Sequence, residues 1–186
     1  MILVIMGVSG SGKTTVGSFL SEKLGWTLYE GDDYHPKENI EKMGKGIPLT
    51  DQDRTPWLLL LHDIIQREMA AGTNAILICS ALKKLYRQLL LFGRCALHSS
   101  HGVAEGGARV KDGLEGVLFA FLQGSFQLIQ ERVQARRGHF MSPSLLQSQF
   151  DALEPPSSAE NALTVDIQKS MSEITAEIER TLSAHL

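Results

Sequence analysis

Gly7-Val8-Ser9-Gly10-Ser11-Gly12-Lys13-Thr14 follows directly on the apolar run Ile2-Leu3-Val4-Ile5-Met6. This is G-x-x-x-x-G-K-[ST] with a buried strand before it and a helix after it, the context in which the pattern makes a phosphate loop. Its glycines let successive backbone N–H groups turn inward into an anion-binding concavity. The helix that follows aims the positive end of its dipole at the same point. In such a loop Lys13 reaches the β- and γ-phosphates and the Thr14 hydroxyl reaches Mg2+. Gly7, Ser9, Gly10, Ser11, Gly12, Lys13, Thr14 and Thr15 are the resulting candidates for binding a nucleoside triphosphate.

The rest of the chain alternates strands and helices around this motif. Residues 2–6, 26–29, 75–80, 117–122 and 162–166 are short apolar runs that predict five strands. Between and after them, helices are expected over 13–24, 55–71, 81–91, 126–136 and 171–182. Thr55-Pro56 is taken as the N-cap and first residue of its helix. Short apolar strands separated by helices imply a parallel sheet covered on both faces, an α/β fold. Ligands of such sheets bind beyond the carboxyl ends of the strands.

With 186 residues, 43% of them hydrophobic, the chain is expected to form one domain, residues 1–186, with a sizeable core. A net charge of -3 argues against general nucleic-acid or membrane-surface binding. No run approaches a membrane span, and the N-terminal apolar stretch lacks the basic flank of a signal peptide. Cys79 reads as a core residue and Cys95 as a loop residue, with no disulfide framework, which suits a cytoplasmic setting. Two stretches break the alternation. Residues 93–116 hold six glycines (93, 102, 106, 107, 113 and 116) and are expected to be a surface insertion loop. Residues from about 137 to 158 include Pro155-Pro156 and are expected to be a mobile lid.

Polar residues cluster at the strand ends where ligands should bind. Glu30 and Asp32 would point the same way if the second strand stayed extended, with Asp33 facing away. Paired carboxylates beside a phosphate loop suit two tasks, holding hydrated Mg2+ and taking the proton of an attacking hydroxyl. Arg54 could grip a carboxylate bidentately, or pair on the surface with Asp51 or Asp53. Lys83 and Arg87, four apart on the expected helix, offer a basic face to an anionic second substrate, or a solvated surface. Arg132 and Arg136 are again four apart and could reach the transferring phosphoryl from the base of the lid. His35, His62 and His139 share no metal-ligand spacing.

These strings resemble one family, the gluconokinases of the shikimate-kinase-like group of P-loop kinases. The resemblance runs through Met6–Thr14, Glu30-Gly-Asp-Asp-Tyr-His-Pro36, Asn39–Pro48, Asp51-Gln-Asp-Arg-Thr-Pro-Trp57 and Cys79-Ser-Ala-Leu-Lys-Lys-Leu-Tyr-Arg87. Gly138–Met141, Leu146–Phe150 and Leu153-Glu-Pro155 extend it over nearly the whole chain apart from 93–116. It implies a three-layer P-loop kinase fold with a five-stranded parallel sheet of order 2-3-1-4-5 and a lid. It also implies ATP- and Mg2+-dependent phosphorylation of the 6-hydroxyl of D-gluconate, giving 6-phosphogluconate for the pentose phosphate pathway. Carried over residue by residue, Lys13 and Asp32 are catalytic and Thr14 and Glu30 serve the metal, Glu30 through water. Asp32, His35, Arg54, Lys83 and Arg87 meet the sugar acid, while Arg132 and Arg136 face the nucleotide. Glu30 stands where the family usually has Asp. The alternatives are a shikimate or nucleoside monophosphate kinase, or a non-catalytic P-loop module, though no guanine-specifying N-K-x-D string is present. The oligomeric state is open, with a homodimer among the options.

Overall fold

The computed structural model describes residues 1–98, 113–136 and 142–186. The elements, in chain order, are β1 (Ile2–Met6), α1 (Lys13–Leu24), β2 (Thr27–Glu30), α2 (Lys37–Gly44), α3 (Asp51–Ala70), β3 (Ala75–Ile78), α4 (Lys84–Phe92) and a single turn α5 (Cys95–His98). They continue with β4 (Val117–Gln123), α6 (Phe126–Ala135), α7 (Pro143–Ala152), β5 (Ala162–Asp166) and α8 (Met171–His185). The five strands form one parallel sheet of order β2-β3-β1-β4-β5. β1 is the central strand and each of its five residues is at most 1% exposed, so the loop that leaves it is anchored in the buried centre of the core. Helices cover the sheet: α1 lies on β2 and β3 and touches α8, which covers β5, while α3 packs on α4 and reaches β1. Among the described residues no helix is long and apolar enough to cross a membrane.

Two helix starts differ from the sequence expectation. α3 begins at Asp51, not at Pro56 behind a Thr55 cap, because Thr50 and Asp53 form a reciprocal capping box. Pro56 therefore sits inside the helix, where its missing N–H leaves the carbonyl of Gln52 without a helical donor; Gln52 is exposed, so water can serve it. α4 begins at Lys84, not Ala81. Ala81 takes a left-handed φ of 46° and Lys83 stays extended, so the chain turns sharply before the helix starts.

The expected insertion loop contains a short helix, α5, before residues 99–112, which lie outside the described residues. Of the expected lid, residues 137–141 lie outside them as well. The described remainder includes α7, capped by Ser142 and anchored through buried Leu146. Cys79 is buried and its thiol is pushed up to about 12 by that burial, so it is unreactive; Cys95 is exposed.

Candidate active site

The phosphate loop leaves β1 at Gly7, whose N–H is held by the Ser80 carbonyl at the end of the neighbouring strand (3.2 Å). Gly10 and Gly12 have φ of 82° and 95°, conformations that side chains resist. A Cβ on Gly10 would also lie 2.4 Å from Val133 Cγ2 on α6, so the loop folds only because this position is bare. Lys13 Nζ donates to the carbonyls of Gly7 (3.0 Å) and Val8 (2.9 Å), bridging the mouth of the loop. Burial holds its ammonium below the usual lysine range, against the pull of Asp32 and Glu30. Ser11 Oγ is buried and has no hydrogen-bond partner among the described residues. Left-handed glycines, a bridging lysine and an unpaired buried hydroxyl fit a polyphosphate. Thr14 and Thr15 are both exposed on the first turn of α1.

The acidic side is built by β2 and the turn after it. Thr14 Oγ1 donates to Glu30 Oε2 (2.9 Å), which brings together the two groups assigned to Mg2+. Desolvation raises the Glu30 carboxyl above its ordinary range, with Thr14 opposing. A hydroxyl and a carboxylate side by side are the oxygen donors a hard divalent cation takes. The chain does not stay extended beyond Glu30. Gly31–Tyr34 is a 3-10 turn, so strand alternation is not what aligns the acids. Glu30 and Asp32 nonetheless line one cavity, while Asp33 is exposed and outside it. Trp57 of α3 fixes that turn by donating from Nε1 to the Gly31 carbonyl (2.7 Å). Its ring stacks on His35 at 3.9 Å. The Asp32 side chain is 79% exposed toward the opening, and His35 Nε2 stands 3.8 Å from its Oδ1.

The three cations assigned to the sugar acid part company. Arg54 lines the cavity, and its Nε is buried without a hydrogen-bond partner among the described residues. Its guanidinium lies 5.3 Å from the Tyr86 ring centroid. Asp51 and Asp53 are engaged elsewhere: Asp51 with Lys83 (3.0 Å) and the Tyr86 hydroxyl, Asp53 with Lys42 (2.8 Å) and Thr50. Among the described residues no carboxylate pairs with Arg54. Lys83 is not on a helix and lies outside the cavity lining, 5.7 Å from the same Tyr86 ring. Arg87 corrects the expected basic face. It is 1% exposed, bridges both carboxylate oxygens of Glu160 (2.6 and 3.3 Å), and donates to the carbonyls of Ala81 and Leu82. Its guanidinium is spent on holding the left-handed turn after β3, so it braces the wall of the cavity.

Arg132 donates to the Ile167 carbonyl (2.8 Å) in the turn after β5, and Arg136 ends α6. Neither lines the cavity, although Arg136 is near enough for its charge to act on Lys13. His139 lies outside the described residues.

One contact had no counterpart in the sequence reading. Gln149 of α7 accepts from Ser9 N–H (2.7 Å) and donates to Ser9 Oγ (3.0 Å), clasping the phosphate loop from across the cavity. Ser142, Ser144 and Ser148 of the same segment line the cavity, as do residues 43–49, the end of α2 and the connection that follows it. The cavity measures about 560 Å³ and spans from Ser9 and Lys13 to Arg54 and His35, enough for a phosphoryl donor's end and a small polar acceptor.

A family model described as an AAA domain matches residues 2–156. A probable gluconokinase of Mus musculus is 51% identical over 183 residues, spanning 97% of this chain and 97% of its own. The gluconokinase of Gluconobacter oxydans (strain 621H) is 41% identical over 182 residues, spanning 98% and 91%. Among solved structures, a gluconokinase from Sinorhizobium meliloti 1021 superposes with a TM-score of 0.76 at 40% identity, over 98% of this chain and 91% of that one. Identities of 41–51% over nearly the whole length of both chains, together with a sheet order that agrees with the P-loop kinase fold, settle the family: the chain belongs to the gluconokinases.

Proposed function

We propose that this protein transfers the γ-phosphoryl group of ATP to the 6-hydroxyl of D-gluconate. The observation that carries the reading is the convergence, in one cavity, of a phosphate loop, an open carboxylate and a carboxylate-free guanidinium. Phosphoryl transfer asks a protein mainly for positioning and charge neutralisation, and each group has a place in that scheme. Gly7–Thr14 cradles the phosphates, and Lys13 offsets charge on the transferring group. Thr14 and Glu30 are the residues that would hold Mg2+, which would supply charge neutralisation to the phosphates. Asp32, open to the cavity, accepts the proton of the attacking hydroxyl as its oxygen bonds to phosphorus. Arg54 receives the sugar-acid carboxylate on the guanidinium that it brings to the cavity lining, and Lys83, beyond Tyr86, helps by keeping Asp51 paired. Arg132 and Arg136 face the nucleotide, and residues 142–158 form the described part of a lid that α7 and Gln149 clasp to the loop.

Against shikimate or a nucleoside monophosphate as acceptor stands the named chemistry of relatives at 41–51% identity. Incubation with ATP, Mg2+ and D-gluconate tests the reading. The product should be a phosphomonoester whose phosphorus couples to the two protons of C6 in a 31P NMR spectrum. A product phosphorylated at another carbon, or no product, contradicts it.

A further inference from the structure

Asn39 belongs to a string that the resemblance picks out, yet the reaction as described gives it no task. It is 3% exposed on α2, a polar side chain buried where a helix normally buries an apolar one. Its Nδ2 lies 2.9 Å from the backbone carbonyl of Asp53 and 3.2 Å from His35 Nδ1. Those two contacts fix more than a position. A carbonyl oxygen can only accept, so the atom facing it is the amide nitrogen and not the amide oxygen, and the side chain has one orientation. The second hydrogen of that same nitrogen then points at His35 Nδ1, which must accept it. A neutral imidazole that accepts at Nδ1 carries its own proton on Nε2.

The surroundings keep the ring in that state. Trp57 stacks on it at 3.9 Å and 18°, which blocks rotation, and the side chain is 3% exposed. Burial lowers its pKa to about 4, against the raising effect of Asp32, so the ring is neutral near pH 7. The protonated Nε2 then faces Asp32 Oδ1, 3.8 Å away, a gap that a small rotation of this exposed carboxylate closes. The opposite tautomer would set a lone pair against a carboxylate.

We infer that Asn39 is a positioning residue: it locks His35 as the Nε2–H tautomer, so that the ring N–H holds one oxygen of Asp32 and leaves the other for the acceptor hydroxyl. The same amide ties α2 to the first turn of α3, whose fourth residue is Arg54, so one buried side chain sets both the base and the carboxylate anchor. The inference rests on the assignment of Asp32 as base, but its first test does not involve substrate.

Two-bond 1H–15N correlation spectra of 15N-histidine-labelled full-length protein, with His35→Gln to identify the signal, read the tautomer without any ligand. Wild-type His35 should show an unprotonated Nδ1 and a protonated Nε2. Asn39→Asp keeps the shape but offers only acceptors, so Nδ1 should become protonated; Asn39→Ala, if the aspartate variant folds poorly, should give mixed tautomers. In either folded variant kcat should fall about tenfold or more while the ATP KM stays within about twofold, a split that general loosening of the fold does not produce. A protonated Nδ1 in the wild type overturns the inference, as does a variant whose tautomer changes while kcat holds. Wild-type protein inert toward gluconate but carrying Nε2–H would instead refute the substrate assignment.

Discussion

Arg54→Lys is the substitution on which the acceptor assignment can be weighed most finely. The guanidinium lines the cavity with Nε buried and unpartnered, Tyr86 lies 5.3 Å away, and Asp51 and Asp53 are committed to Lys83 and Lys42. Arg54 thus makes no ion pair among the described residues that its replacement would break. Lysine keeps the positive charge but loses the planar fork that binds a carboxylate through two parallel N–H donors. A hydrogen bond to a charged partner contributes about 1.5–3 kcal/mol. At about 1.4 kcal/mol per decade, losing one raises the gluconate KM roughly 10- to 100-fold. The ATP KM should stay within about twofold, because the nucleotide phosphates sit on Gly7–Thr14. Stability should hold as well, with Tm within about 3 °C of wild type, since an unpartnered buried donor contributes nothing favourable to the fold. Steady-state kinetics with each substrate varied in turn, alongside a thermal melt, measures all three. An unchanged gluconate KM, or equal increases for gluconate and ATP, refutes the reasoning.

Three further outcomes are expected. Asp32→Asn should lower kcat by about 100-fold or more with ATP affinity preserved, since an amide cannot take the hydroxyl proton; loss of nucleotide binding in a titration would make Asp32 a metal or structural group. Glu160→Ala strands Arg87 as a buried unpaired charge and should cost about 3–5 kcal/mol in urea unfolding, and a cost below about 1 kcal/mol would show that the pair is not the brace described. His35 has its pKa lowered to about 4 in the fold, so between pH 6.5 and 4 the unfolded chain binds a proton that the folded one refuses. Its contribution to stability is present above pH 6.5 and declines as pH falls toward 4, so His35→Gln should show a shallower loss across that window; parallel profiles would contradict the shift.

The five strands were legible because five short apolar runs carry them, while their order came only from the family resemblance. What escaped the sequence was decided by contacts distant along the chain or by polar burial. Lys83 and Arg87 look like one helical face, but the left-handed Ala81 delays the helix and Arg87 turns inward to Glu160, seventy-three residues on. Thr55-Pro56 resembles a helix start, yet the Thr50–Asp53 capping box begins the helix earlier and tolerates the proline within it. α2 turns its apolar Ile40 outward, 53% exposed, and the residue it buries is Asn39. Gln149 reaches Ser9 across one hundred and forty residues. For the site, the residue types were readable and the distinction between Arg54, which faces the cavity, and Arg87, which braces it, was not.

The central claim is that this cavity hands a phosphoryl group specifically to a carboxylated polyol. ADP release measured with ATP and Mg2+ against D-gluconate, its epimers, shikimate, a nucleoside monophosphate and no acceptor tests it most directly. D-gluconate should give the highest kcat/KM by at least about tenfold, with slow release when no acceptor is present. ADP release that does not depend on the acceptor, or that is fastest with shikimate or the nucleotide, would contradict it.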